Sequence, residues 1–384
     1  MDTDRPSTAD YQIDEEYYQQ NLALYHPKFK ELAANKFIDV EVKQAALRLS
    51  PSVVALVSYS GEEQLCHTCG TIIEADADNT ITVLTSANLI RRPSTDYVVE
   101  NNLADNLKVT VHTSVASFSE SVICAYDFHF NLAVIKFVSP VSLPTARLRR
   151  IDDCLSFILE ENRSFQLRPH SAKLVPGDVV TAVGRYFRKP FDLMAAPGKF
   201  STDRVHHDCK ELCLVTCRIS RCGDGAPISN ISGEVIGVGF HDSNTVFLPI
   251  NIVIKWWDHY KIHGELRHPR LGFEATNLYL VRIDMVERLI RRFPSISGGI
   301  VVDKVIIGSS AHSAGLRQDD VIVRCNGRMV ESYLELLEVM WDSIGENVEI
   351  VVARDDCHDL LTLKMMVVEA TLYEINSWPH WEHS

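Results

Sequence analysis

The chain has 384 residues, of which 46% are hydrophobic and 23% charged; that balance excludes a largely disordered chain and suffices for two or three packed domains. Asp and Glu outnumber Lys and Arg by 51 to 38, a formal net charge of −13, so no nucleic-acid partner working through a bulk positive field is expected. No apolar run approaches the ~20 residues that span a bilayer, and no membrane partner is expected. In chain order, residues 1–27 read as a polar, tyrosine-rich arm. Its acidic start lacks the apolar stretch of a secretory signal and the Arg-rich composition of a transit peptide, so the expected location is cytosolic or nuclear. From Lys28 to Leu49 the apolar residues take helical spacing, which Ser50-Pro51 closes. There follow short runs rich in Val, Ile, Leu and Thr: SVVALVSYS, TCGTIIEA, TITVLTSA, LKVTVHTS, SVICAYDF, LAVIKFV, DVVTAVG, CLVTCRI and EVIGVGF. Turn residues separate them and no long helical pattern intervenes before Pro249, the signature of an all-β barrel or sandwich.

The stretch INIVIKWWDHYKIHGE then has helical spacing and ends near Gly264. A second unit starts near Pro269, with strands at GGIVVDKVI, DDVIVRCNG and NVEIVVAR and helices at MVERLIRRF and YLELLEVMWDSI. That mixture predicts a compact α+β module of about 100 residues. The ten cysteines sit in a long chain without an export signal, so reduced thiols are expected, not a disulfide framework. Cys66 and Cys69 form one Cys-x-x-Cys pair, with Cys209, Cys213, Cys217, His206 and His207 further on. A lone pair is a weak zinc signal, and Cys213 to Cys217 reads as strand with thiols acting as small hydrophobes, so neither a metal nor another cofactor is expected.

The order of motifs carries a resemblance. SVVALV, GTII, VLTSANLI, NLAVIKF, GDVVTAVGRYF and CGDGAPISNISGEVIGVGF resemble the HtrA (Do-like, Deg) serine protease family. GGIVVDKVIIGSSAHSAGLRQDDVIVRCNGRMVESYLELL resembles the PDZ pattern of the same family, and the plant Do-like branch is the most similar. The resemblance covers roughly residues 50–368. It implies a mainly β fold: a chymotrypsin/trypsin-like double β-barrel over residues 50–250, followed by an α+β PDZ domain over 267–370. Residues 1–49 then form an arm and helix, 251–266 a linker helix, and 371–384 a tail.

Members of the family cleave peptide bonds with serine, histidine and aspartate. By the motifs, the histidine position falls on Asn88 in Leu84-Thr85-Ser86-Ala87-Asn88, the aspartate position on Asn131 before Leu132-Ala133-Val134, and the nucleophile position on Asp224 in Cys222-Gly223-Asp224-Gly225-Ala226-Pro227. An amide cannot take a proton near neutral pH, and Asn131 cannot stabilise an imidazolium. Asp224 attacks amides poorly and is expected to repel an oxyanion, or itself fill a hole built from N–H groups near Cys222 and Asp224. The candidates for a substitute are Ser220, Cys222, Asp127, His67, His129, His206 and His207. A nucleophilic thiol needs a low pKa and a paired imidazole, so Cys222 reads as a small buried residue, with Asp127 and His129 as turn residues.

PDZ domains bind extended peptides by strand addition. The resemblance places the carboxylate loop at Arg270-Leu271-Gly272-Phe273, with the N–H groups of Leu271, Gly272 and Phe273 as donors. Tyr333, Leu337 and Met340, at i, i+4, i+7 spacing, are candidates for the opposing wall or equally for packing onto the sheet. Two departures stand out: Ser310 replaces a proline, and Asp319 replaces the glycine before Asp320, which is expected to strain that turn. The favoured reading is a catalytically inactive member that binds peptides or unfolded segments through its PDZ domain. It would act as scaffold or regulator, assembled with itself or with active relatives. The alternatives are an endopeptidase with a non-standard site and a structural protein with a closed groove.

Overall fold

The computed structural model describes residues 36–92, 102–114, 116–118, 120–154, 171–186, 188–202, 209, 211–242 and 245–371. The expected arm, the first part of the expected first helix, His206, His207 and the tail from residue 372 lie outside these residues. The described residues fall into two units. One takes those up to Leu148 and those of Gly177–Leu248; the other takes those of Arg149–Pro176 and those from Pro249 onward.

In the first unit, helix α1 (Val40–Leu49) is shorter than its sequence pattern, since residues 36–39 are not α-helical. It buries Val42, Ala45, Ala46 and Leu49, one face at helical spacing. Seven strands then build the first barrel: β1 (Val53–Ser60), β2 (Glu63–Ala75), β3 (Thr80–Ser86), β4 (Leu107–His112), β5 (Ser117–Phe118), β6 (Ser121–Asp127) and β7 (Leu132–Val138). Their order is β5-β4-β1-β2-β3-β7-β6. The sheet curls until β6 returns to β4, where the Ser121 hydroxyl donates to the Val109 carbonyl at 2.6 Å. Leu56, Ile72, Ile81, Val83, Val111 and Ile135 are among the side chains that fill its core. They alternate with outward residues along the strands, so burial and hydrogen bonding select the same register.

A short parallel pair, β8 (Arg150–Asp152) with β9 (Ser171–Lys173), precedes the second barrel. That barrel is closed, in the order β10 (Val179–Arg185), β11 (Leu193–Ser201), β12 (Cys213–Val215), β15 (Thr245–Pro249), β14 (Val235–Phe240) and β13 (Ala226–Asn230). Closure removes the unpaired edges that six short strands would otherwise expose. The Cys213 to Cys217 run is only partly strand: β12 stops at Val215, leaving Cys217 buried beyond it.

The second unit begins with residues 149–154, which the sequence boundaries assign to the barrel. Here they are tied to α2 (Ile250–His263), the helix expected as a linker, and to the module that follows it. The Asn251 side chain accepts from the Ile151 N–H at 2.7 Å and donates to its carbonyl at 3.1 Å. Strands β16 (Pro269–Arg270), β17 (Phe273–Asn277), β18 (Ile300–Val305), β19 (Val321–Cys325), β20 (Arg328–Met329), β21 (Asn347–Ala353), β22 (Leu361–Met366) and β23 (Val368–Glu369) alternate with α3 (Ile283–Arg292), α4 (Ser310–Ser313) and α5 (Tyr333–Asp342). The main sheet runs β17-β18-β19-β21-β22, so β17 is an edge strand. Asp320, 1% exposed, receives both arms of the Arg354 guanidinium at 2.7 Å, a bidentate pair that fixes its turn. The residue before it, Asp319, has φ +66°, the left-handed conformation expected from the missing glycine. Asp319→Gly is expected to raise the stability of this unit by about 0.5–1 kcal/mol. Denaturant unfolding checks this, and an unchanged or lowered midpoint speaks against strain at that turn.

Candidate active-site cleft

Asn88 lies in a 3₁₀ turn (Ala87–Leu89) at the end of β3, capped by the Ser86 hydroxyl, which accepts its N–H at 3.1 Å. Asp224 ends a second 3₁₀ turn (Arg221–Gly223) before β13. The two turns meet: Asn88 Nδ2 donates to Asp224 Oδ2 at 2.9 Å, and the backbone N–H of His241 donates to Oδ1 at 2.6 Å. The Cys69 N–H donates to the Asp224 carbonyl at 2.8 Å. Gly225 is forced to be glycine, because at φ +78° a Cβ would stand 2.4 Å from the Cys69 carbonyl oxygen and 2.6 Å from the Ser86 nitrogen. Both turns and all these partners belong to the first unit, with Asn88 and Cys69 from one barrel and Asp224 and His241 from the other.

Asp224 is 7% exposed. Loss of hydration pushes its carboxyl up from 3.8 to about 6, against the lowering pull of the His241 and Asn88 hydrogen bonds and of the Arg221 charge. Of the two roles expected of it, repelling an oxyanion or filling its hole, the contacts show neither directly; its oxygens accept from Asn88 and His241. The N–H groups expected to form that hole are also engaged. Gly223 N–H donates to the Ser220 carbonyl at 2.7 Å and Asp224 N–H to the Arg221 carbonyl at 3.0 Å.

Asn131 is brought close through its backbone, whose carbonyl accepts the Ala87 N–H at 3.0 Å. It takes φ +53°, which asparagine tolerates better than most residues. Its side chain is fully buried, and neither amide atom has a hydrogen-bond partner among the described residues, a cost of about 1–3 kcal/mol. Asp127 closes the preceding turn by accepting the N–H groups of His129 and Phe130 at 2.8 and 3.2 Å.

Among the described residues, the other candidates form no pair of nucleophile and base. Cys222 is 1% exposed, shares a 3.0 Å hydrogen bond with the Ser220 hydroxyl, and burial drives its thiol far above the ordinary value. Cys69 accepts the Arg185 N–H at its sulfur (3.1 Å) and is pushed up to about 12 by burial. His67, 2% exposed, is held down to about 3 by burial, and stacks with Phe191. A neutral imidazole of that acidity is a poor proton acceptor at pH 7.

In the second unit Leu271, Gly272 and Phe273 form the turn into β17. Gly272 has φ +75°, its carbonyl accepts from the Ile306 N–H (2.9 Å) and the Ser309 hydroxyl (3.0 Å), and a Cβ on it would stand 2.7 Å from Ser309 Cβ. The start of α5 is fastened to the end of β17 by the Tyr333 N–H, which donates to Asn277 Oδ1 at 2.6 Å. Tyr333 is half-buried, whereas Leu337 and Met340 are 4% and 0% exposed and belong to the core.

Family models agree with both units: a trypsin-like peptidase domain matches residues 68–238 and a PDZ domain residues 269–365. The Do-like 14 protein of Arabidopsis thaliana is 29% identical over 349 residues, covering 86% of this chain and 72% of its own. The chain thus pairs a trypsin-like peptidase domain with one PDZ domain, and is similar along most of its length to HtrA-type (Do-like) proteases. Human serine protease HTRA4 is 28% identical over 256 residues, but the match spans only 48% of its length. Among solved structures, the HtrA-type protease AlgW with a tripeptide superposes with a TM-score of 0.54 at 19% identity, over 86% of this chain and 97% of its own; that likeness shows the fold alone. The residues around the cleft that the sequence did not assign to it are Cys69 and His241. Both act through backbone N–H groups, which leave no mark on residue type; only Gly225 signalled a close approach there.

The raised pKa of Asp224 sets a direction. Between about pH 4 and 6 the folded protein keeps a proton that the unfolded chain has released, so this group's contribution to stability falls as pH rises through that window and is flat above it. Asp224→Asn is expected to gain on the parent by up to about 3 kcal/mol between pH 4 and pH 7. Thermal unfolding of both proteins across that range checks the sign; parallel profiles contradict it.

Proposed function

We propose that this HtrA-family protein binds peptides without hydrolysing them. On the motif match, Asn88, Asn131 and Asp224 stand where the family has histidine, aspartate and serine. The observation that carries the reading is the hydrogen bond from Asn88 to the buried Asp224 carboxylate. A proton-accepting base is replaced by a donor amide, and the nucleophile by a group the amide holds in place. Asn131, with no partner for its amide, is what remains of an orienting acid once the imidazole it served is gone. The engaged N–H groups of Gly223 and Asp224 support the same conclusion, because a tetrahedral intermediate would find those two donors already spent.

The PDZ domain supplies the positive function. β17 is an edge strand with open hydrogen-bonding groups, and the Leu271 to Phe273 turn at its start suits a terminal carboxylate. The substrate-like ligands are then C-terminal or unfolded segments, held for active relatives or for a scaffold in a homo- or hetero-oligomer. A second reading, a groove that takes no ligand, is favoured by the full burial of Leu337 and Met340, which leaves Tyr333 as the only one of the three helix candidates with accessible surface.

Two measurements separate these readings. Incubation with unfolded casein and a fluorophosphonate probe is expected to give neither cleavage nor labelling; cleavage that disappears in Asp224→Ala would overturn the proposal. On an array of C-terminal peptides the parent is expected to bind, and Gly272→Ala to bind at least about tenfold more weakly, the cost of forcing a side chain into a left-handed turn against Ser309. An unchanged near-UV circular dichroism spectrum separates lost binding from lost folding. An array without binders would decide for the closed groove.

A further inference from the structure

Outside the cleft, three side chains of metal-ligating chemistry meet from segments far apart in sequence. His129 stands on the turn between β6 and β7 of the first barrel; Cys209 and Glu211 precede β12 of the second. One ligand atom from each, an imidazole nitrogen, a thiol sulfur and a carboxylate oxygen, lies within 4.8 Å of the other two. Cys209 Sγ and Glu211 Oε2 are 3.3 Å apart. A tetrahedral zinc ion with a sulfur at ~2.3 Å and nitrogen or oxygen at ~2.0–2.1 Å separates its ligands by roughly 3.3–3.5 Å. The sulfur–oxygen edge already has that length, and the remaining edges, none longer than 4.8 Å, need to close by no more than about 1.5 Å.

The surroundings favour a cation. Cys209 is 1% exposed, while His129 and Glu211 are half-buried, so an ion has both a dry seat and a way in. The Glu211 carboxylate lies directly against that sulfur, a negative charge that a dication would offset. Asp127 holds the turn that presents the imidazole, through the N–H groups of His129 and Phe130. Phe130 is 2% exposed and its ring packs 4.7 Å from that of His129, so the ligand is oriented before any ion arrives.

We propose that His129, Cys209 and Glu211 bind one zinc-like divalent cation, clipping the β6–β7 turn to the segment that leads into β12. As the metal–sulfur bond forms, the thiol proton passes to solvent, and the fourth coordination position is left to water. A mixed sulfur, nitrogen and oxygen set selects zinc or cobalt over calcium or magnesium. The turn it fastens ends at Asn131, so the clip also stiffens one margin of the cleft.

Full-length protein, stripped with a chelator, is titrated with Zn²⁺ by calorimetry and with Co²⁺ by absorbance. One equivalent of each is expected to bind, the cobalt form showing a thiolate charge-transfer band and tetrahedral visible bands. Cys209→Ser is expected to remove the charge-transfer band, His129→Ala and Glu211→Gln each to weaken affinity at least about tenfold, and Cys66→Ser to change neither. Circular dichroism verifies that each variant folds, and half-buried Glu211 serves if Cys209→Ser does not. Failure to bind, binding without a thiolate band, or a band that survives in Cys209→Ser would each overturn the assignment.

Discussion

Asp224 takes one hydrogen bond from each barrel, from the Asn88 amide and from the His241 backbone, in surroundings that leave it 7% exposed. Around this carboxylate the two turns, the close approach of Gly225 to Cys69 and the spent N–H groups of Gly223 and Asp224 all fall into place. A buried charge is tolerated only when donors replace the water it has lost. Here two donors do so in part, and the proton affinity of the acid rises to about 6 as the measure of what they fail to replace. On the proposed reading, the contacts that hold the acid leave its site without a base or a nucleophile, and the 3₁₀ turn beside it engages the N–H groups of Gly223 and Asp224.

Such a cleft reverses the electrostatic logic of acyl transfer. A hydrolytic site keeps its donors idle until charge develops on the substrate, which is why preorganisation lowers the barrier. In this chain the donors are satisfied in the resting state, and the negative charge is resident. Opening the site would require breaking the 3₁₀ turn at Arg221–Gly223 as well as moving Asp224. The binding proposed for the PDZ unit is under no such constraint, because an edge strand such as β17 needs only an extended partner strand.

Much of the fold was legible because short apolar runs separated by turn residues mark the strands of a barrel. SVVALVSYS and LAVIKFV are such runs, and β1 and β7 follow them closely. The strain at Asp319 was legible too, since a turn that wants glycine keeps its φ whatever residue occupies it. The helix pattern from Lys28 overran, because residues 36–39 fit the apolar period without being α-helical. Residues 149–154 were assigned to the barrel by position alone; what ties them to the second unit is a pair of hydrogen bonds from one asparagine, Asn251, which no pattern announces. At the cleft, residue types told which groups stand at the three positions, but not that Asn88 turns to Asp224 and leaves Asn131 without a partner. Leu337 and Met340, read as either groove wall or core, are buried, a distinction that i, i+4, i+7 spacing cannot make.

The most direct measurement is a carbon-detected NMR titration of the Asp224 carboxyl group, assigned by its loss in Asp224→Asn. A dry carboxylate fastened across the two barrels titrates near pH 6, with the Asn88 amide resonances shifting in step. A midpoint near the ordinary 3.8, with Asn88 silent, would mean that the acid is hydrated and the cleft open, and would contradict the account.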